Sequence, residues 1–359
     1  MAHSSMQSLL DLYRSRRVFV TGHTGFKGSW LSLWLSELGA EVTGFALPAA
    51  DQQLGNAAGV RHLNRHIEGD IRDSDALNRA IEISQPEVVF HLAAQPIVRL
   101  SYDCPSDTFS TNVQGSVNLL DAVRRCPSAR SLIFVTSDKC YRNREWVWGY
   151  RETDELGGID PYSASKAAAE LIFSSYLESF FRRRPGFGAA SARAGNVIGG
   201  GDWARDRIVP DCIRALQRDE PIRLRNPLAT RPWQHVLEPL WGYMLLGIRL
   251  LEDPDRYSGA WNFGPSPESV RTVHDLAKVV LRCWGSGELE AAVEQGAAHE
   301  ATLLHLSCDK AMHVLGWEPR WHFDDAVRNT VNWYRAVHDG ATPFQLCRRQ
   351  ILEYSGAVQ

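Results

Sequence analysis

Arg17-Val18-Phe19-Val20-Thr21-Gly22-His23-Thr24-Gly25-Phe26-Lys27-Gly28 decides the fold. The apolar run that opens it reads as a short buried strand. Gly22, Gly25 and Gly28 follow as G-x-x-G-x-x-G, and from Ser29 to Leu38 apolar residues recur at helical spacing. Strand, glycine turn and helix, in that order, form the dinucleotide-binding unit of a parallel sheet. The glycines permit a tight turn, let backbone N–H groups approach a diphosphate and let the helix pack close to the strand.

Working outward, residues 41–46, 66–71, 88–92, 131–136 and 187–193 read as further strands, with helices predicted over 105–125 and 162–183. Strands alternating with helices predict an α/β fold, a Rossmann-type doubly wound parallel sheet. That dinucleotide-binding domain is expected over residues 1–194. After Arg193 glycines, arginines and tryptophans become frequent. Short strands at 222–224 and 260–263 alternate there with helices at 208–216, 236–251, 273–283 and 323–337. Residues 195–340 are read as a smaller C-terminal α/β substrate-binding region that recrosses to the main sheet. Residues 341–359 are read as a tail or packing arm.

Composition narrows the class. The chain has 359 residues, 44% hydrophobic and 23% charged, with a net charge of −3, as in an ordinary soluble globular protein. No basic block points to nucleic acid, no apolar run reaches membrane-span length and no secretory leader is legible, so neither nucleic acid nor membrane is an expected partner. The seven cysteines are scattered with no CxxC pair, which argues against a disulfide framework or a zinc site. A reducing cytoplasm is expected. Cys140 reads as a buried filler, since no histidine adjoins it to activate a thiol.

An acid at the end of the second strand binds an NAD ribose, and a base there accommodates the 2′-phosphate of NADP. Here Gly44-Phe45-Ala46-Leu47-Pro48 offers neither, which leans to NAD. Asp70 is placed to accept from the adenine amino group, and Ala93 and Ala94 are small enough for the cofactor to lie flat. The expected cofactor-binding set is Gly22, Thr24, Gly25, Phe26, Gly28, Asp70, Ile71, Leu92, Ala93, Ala94 and Thr111, with Tyr162 and Lys166.

The expected chemistry lies at Ser137-Asp138-Lys139, the polar end of the fifth strand, and at Tyr162 and Lys166. The last two stand four residues apart on one face of a helix. A phenol near its ordinary pKa of about 10 is a poor base at neutral pH. A neighbouring ammonium and a positive nicotinamide favour the phenolate.

The glycine turn, Tyr162-x-x-x-Lys166, Arg193-x-x-Asn196-Val197-x-Gly199 and Asp309-Lys310-Ala311-x-x-x-Leu315-Gly316-Trp317-x-Pro319 together resemble the extended short-chain dehydrogenase/reductase superfamily, over nearly the whole chain. Ser137-Asp138-Lys139-Cys140-Tyr141, Glu145-Trp146-Val147-Trp148-Gly149-Tyr150-Arg151-Glu152 and Gly199-Gly200-Gly201-Asp202-Trp203 resemble its CDP-glucose 4,6-dehydratase branch. The resemblance implies a lyase that takes CDP-glucose or a related nucleotide sugar through C4 oxidation, C5/C6 elimination and reduction at C6. It implies NAD tightly bound and regenerated each turnover, and a homodimer. Tyr162 would take the 4-hydroxyl proton and Ser137 would hydrogen-bond that oxygen. Related dehydratases carry Asp-Glu where this chain has Asp138-Lys139. Lys139 is then either the C5 base or an electrostatic stabiliser of the enolate.

On the substrate side the expected residues are Gln95, Arg99, Asn196, Arg205 and Arg231. Arg225, His91 and Asp103 are further candidates, and guanidinium suits a diphosphate. Trp203 and Trp233 either stack on or wall the base or pack in the core, and core packing is the preferred reading for a lone tryptophan. The loop at 146–150 is either a lid or a packing surface. Other nucleotide-sugar 4,6-dehydratases and 4-epimerases share the cofactor site and Tyr-x-x-x-Lys, but an epimerase has no need of an acid–base pair for elimination. A non-catalytic NAD sensor would not need the intact Ser137, Tyr162 and Lys166 set.

Overall fold

Each central strand is apolar on both faces, and its two sets of side chains enter different cores. Val18 and Val20, Val88 and Phe90, and Ile133 and Val135 join one cluster; Phe19, Val89, Leu132 and Phe134 join the other. Period-two alternation with both sides buried is the mark of a parallel sheet covered by helices on each face. The computed structural model, which describes residues 11–49, 63–290 and 304–356, shows that sheet. Its strands are β1 (Arg17–Thr21), β2 (Glu41–Ala46), β3 (Arg65–Glu68), β4 (Val88–His91), β5 (Ser131–Val135), β6 (Gly188–Arg193) and a seventh, Gly259–Asn262. The order is seventh–β6–β5–β4–β1–β2–β3, parallel throughout. The order reverses between β1 and β4, where an open sheet leaves a crevice at the carboxyl ends of its strands. The doubly wound fold expected from the sequence is the one observed.

Helix α1 (Phe26–Glu37) is buried on nearly every side from Gly28 to Leu35. The sheet covers one side, and helices Leu237–Glu252 and Pro343–Ser355 cover the other. Trp30 Nε1 donates to Gly200 O at 2.9 Å, and Trp34 meets Tyr354 edge-on at 5.7 Å. Residues beyond Asp339 therefore hold a helix seated on the core, with Cys347, Ile351 and Tyr354 buried. The opposite face of the sheet is covered by α2 (Ser74–Ser84), through Leu77, Ala80 and Ile81. A short α3 (Val98–Asp103), which the sequence reading did not foresee, leads into the expected helix 105–125.

That helix is broken into α4 (Pro105–Phe109), a wide π turn (Ser110–Gln114) and α5 (Gly115–Arg125). The extra residue in the turn directs Asn112 inward, where it is buried and donates to Ser165 Oγ at 2.9 Å. β3 stops at Glu68, not at 71. Gly69 passes under Phe45, and a Cβ there would lie 2.4 Å from the ring. The long helix α6 (Pro161–Ser179) ends before residue 183, and a single 3-10 turn follows.

Candidate active site

β5 delivers Thr136 and Ser137, both buried, to the carboxyl edge of the sheet. Ser137 opens a one-turn 3-10 helix, Asp138–Cys140. Its Oγ donates to Asp138 Oδ1 at 2.8 Å and accepts from Lys139 N at 3.3 Å. Asn196 Nδ2 donates to Asp138 Oδ2 at 3.4 Å, and Gly195 leaves room for this carboxylate, since a Cβ there would lie 2.1 Å from it. Asp138 is thus held from two sides, by Ser137 and Asn196, while Lys139 is half-buried.

The start of α6 is fixed by its cap. Asp160 accepts from Ser163 N at 2.9 Å and Ser163 Oγ at 2.6 Å, with Pro161 at the first helical position. Tyr162 N donates to Ser101 Oγ at 3.2 Å, and Ser165 Oγ donates to Tyr162 O at 2.7 Å. Tyr162 and Lys166 are both buried on the same face of α6.

Burial pushes the Tyr162 phenol up to about 12, against the hydrogen bond with Ser137, which lowers it. Burial pulls Lys166 down to about 8, with Glu170 opposing. The sequence reading expected the Lys166 ammonium to lower the phenol. Here desolvation outweighs the lowering groups, and Ser137 is the first of them.

These side chains floor one cleft of about 2270 Å³. A single small ligand fills roughly 300–1,000 Å³, so there is room for two nucleotides. All of the residues expected to bind cofactor line it, as do Ser137, Asp138, Lys139, Arg99, Asn196, Arg205 and Arg231. The glycine turn fits a dinucleotide. Gly22 has φ +75°, and a Cβ would stand 2.7 Å from Ala93 N; at Gly28 a Cβ would stand 2.0 Å from Gly22 O. Gly25 offers α1 no side-chain cap, so the first N–H groups of the helix are left for an anion. Leu47 and Pro48, with neither acid nor base, line the cleft beyond β2. Hydrogen bonds from Arg72 at 2.6 and 2.8 Å hold the Asp70 carboxyl below the usual range.

Gln95 is not among the residues lining the cleft. Its Nε2 donates to Thr108 Oγ1 at 2.8 Å and its Oε1 accepts from Ile97 N at 2.5 Å, so its amide is spent on holding the loop. His91 is buried beneath the sheet edge, 2.7 Å from Thr21 Oγ1 and against Phe134, which corrects the expectation that it lines the sugar site. Arg99 pairs with Asp206 at 3.2 Å, and Arg225 meets the same carboxylate at 2.9 Å. Arg231 lies on the short strand Thr230–Pro232. Trp203 packs on Tyr334 and Trp233 on Phe323, and both also line the cleft, Trp233 buried and Trp203 half-buried. In the 146–150 loop Trp146 and Tyr150 pack together, while Trp148 is exposed. Cys140 is fully buried and its thiol is pushed up by burial. The sequence reading missed Lys27, Asp202 and Arg207, which also line the cleft. A charged residue inside the glycine turn was the available sign for Lys27; Asp202 and Arg207 converge only through tertiary folding.

The sequence model of the family described as GDP-mannose 4,6 dehydratase matches residues 19–330. A CDP-glucose 4,6-dehydratase of Salmonella typhimurium is 46% identical over 353 residues, covering 97% of this chain and 98% of that one. A probable dTDP-glucose 4,6-dehydratase of Sinorhizobium fredii is 27% identical, covering 89% and 92%. Among solved structures, the UDP-glucose 4-epimerase of Thermus thermophilus in complex with NAD superposes with a TM-score of 0.75 at 26% identity, covering 89% of this chain and 99% of that one.

Proposed function

The chain belongs to the GDP-mannose 4,6-dehydratase family and is an NAD-dependent dehydratase of nucleotide sugars, and from that premise we propose that it converts CDP-glucose to CDP-4-keto-6-deoxyglucose and water. The reading of the chemistry is carried by one observation: Ser137, Asp138, Lys139, Tyr162 and Lys166 meet in a single cleft with the glycine turn. The choice of CDP-glucose rests on the near full-length similarity to the Salmonella enzyme.

NAD, when bound, supplies the acceptor and later the donor of hydride, and because it is restored in each turnover it stays tightly held. Tyr162 accepts the proton of the sugar 4-hydroxyl, and Ser137 Oγ hydrogen-bonds that oxygen. A ketone at C4 acidifies the C5 proton. Lys139 removes that proton while Asp138 gives one to the departing C6 oxygen, so that water leaves and charge balances. An amine acts as a base only when neutral. Arg99, Asn196, Arg205 and Arg231 hold the nucleotide sugar.

The working form is a homodimer in this reading. Leu100 and Tyr102 on α3, Phe109 on α4 and Leu171 on α6 are all exposed, an apolar set that a second copy would cover. A light-scattering mass of one chain would refute it. The seven free cysteines suit a cytoplasmic protein. Incubation with CDP-, UDP-, dTDP- and GDP-sugars tests the substrate. The alkali-induced chromophore of a 4-keto-6-deoxy product is expected with CDP-glucose, and no chromophore with any of them would refute the assignment.

A further inference from the structure

The chain has 34 arginines but only five lysines. Three of the five, Lys27, Lys139 and Lys166, line the same cleft. Lys310 lies 4.0 Å from the Trp261 ring centroid and donates to Ala260 O at 2.7 Å. A chain that uses arginine almost everywhere else has placed an amine at position 27. The difference is chemical: an amine can lose its proton near neutral pH when desolvated, and a guanidinium cannot.

Lys27 is the second residue of α1, next to the turn whose N–H groups open on the cleft. Four charged groups face it: Asp138 from the end of β5, Lys166 from α6, and Asp202 and Arg207 from the segment before helix Ile208–Leu216. Both carboxylates are already engaged, Asp138 with Ser137 and Asn196, and Asp202 with Arg207 at 2.8 Å. Lys27 itself has no hydrogen-bond or ion-pair partner among the described residues. Lys27 is half-buried in the cleft wall, and desolvation there, then Arg207, pull the ammonium down to about 7.

We propose that Lys27 is a diphosphate-binding residue of the cleft, and that its amine takes up a proton as the diphosphate enters. The glycine turn presents its N–H groups beside the same amine, so the cofactor and the nucleotide sugar are both sources of that anion. The inference rests on the NAD and nucleotide-sugar reading above for the identity of its ligands. Its sign is fixed. An amine held near 7 when free and paired with an anion when bound takes up proton on binding, more at pH 8 than at pH 6.

The test is calorimetric titration of the full chain at pH 8, in two buffers of different ionisation heat. One arm adds NAD; the other adds CDP to the NAD-loaded chain. Net proton uptake at pH 8, larger than at pH 6, is expected in one arm, and that arm names the diphosphate. Lys27→Met should abolish it and weaken that nucleotide about ten- to a hundredfold. Lys27→Arg keeps the charge and tests the inference even if the methionine variant folds poorly; it should bind well without proton uptake. Parent-like uptake in Lys27→Arg, or none in either arm of the parent, would overturn the inference and leave the dehydratase reading standing. Failure to bind either nucleotide would overturn both.

Discussion

Replacing Arg193 by methionine would strand a buried carboxylate. Glu170 and Arg193 are 2% and 4% exposed, and Arg193 Nη2 stands 2.7 Å from Glu170 Oε2. Glu170 also accepts from Thr136 Oγ1 and, at 2.8 Å, from Ser191 Oγ. Arg193 Nη1 donates to Tyr141 Oη at 2.6 Å and to Glu152 O at 3.0 Å. Burial opposes the guanidinium charge, but the field and hydrogen bond of Glu170 outweigh it and raise the pKa. Without the arginine, the carboxylate keeps only two hydroxyl donors. Breaking a buried pair from one side costs about 3–5 kcal/mol. Against a total of about 5–15 kcal/mol, that is a large fraction of the fold's stability. The double variant Arg193→Met with Glu170→Gln removes the stranded charge, and should fall short of the summed single losses by at least about 1 kcal/mol. Because Thr136 adjoins Ser137 and Glu170 lies one turn beyond Lys166, the pair also ties the end of β5 to α6, and kcat should fall with stability. Urea unfolding followed by tryptophan fluorescence measures the loss. A loss below about 1 kcal/mol, or strictly additive variants, would refute the reasoning.

Three further outcomes are expected. Ser137→Ala removes the hydrogen bond that lowers the Tyr162 phenol, so the acid limb of kcat/KM should move to higher pH; an unmoved limb would exclude Tyr162 as the titrating base. Lys139→Ala should still oxidise C4, seen as absorbance of the reduced cofactor, but should lose solvent exchange at C5 by about 10²–10⁴-fold; undiminished exchange would rule out Lys139 as the base. Gly28→Ala would force a Cβ to within 2.0 Å of Gly22 O, so NAD binding should weaken more than tenfold and Tm should drop, and parent-like binding would contradict the tightness of the turn.

The sheet was legible because its strands alternate between two buried faces and each helix between them has an apolar side. Where a single residue redirects the backbone, the sequence was silent. Gly69, just past the end of β3, runs so close to Phe45 that a Cβ would strike the ring, and Asn112, inside the π turn that breaks the 105–125 helix, bonds to Ser165; both are contacts between segments distant in sequence. The site shows the same division. The glycine turn and Tyr162-x-x-x-Lys166 are local patterns, and their residues were all found in the cleft. Gln95 and His91 are polar residues just after or within β4, where side chains serve either ligand or scaffold, and hydrogen bonds to Thr108 and Thr21 made them scaffold. Lys27 stood in the motif itself, but the side chains that shift its charge come from β5, α6 and the 202–207 segment.

The most direct measurement is incubation of the parent enzyme with CDP-glucose in deuterium oxide, followed by mass spectrometry and proton NMR of the product. The expected product has lost one water, carries a methyl group at C6 and holds one solvent deuterium at C5. Recovery of CDP-glucose unchanged, a C4 epimer of the same mass, or a dehydrated product with no deuterium at C5 would contradict elimination by a proton-removing base in this cleft.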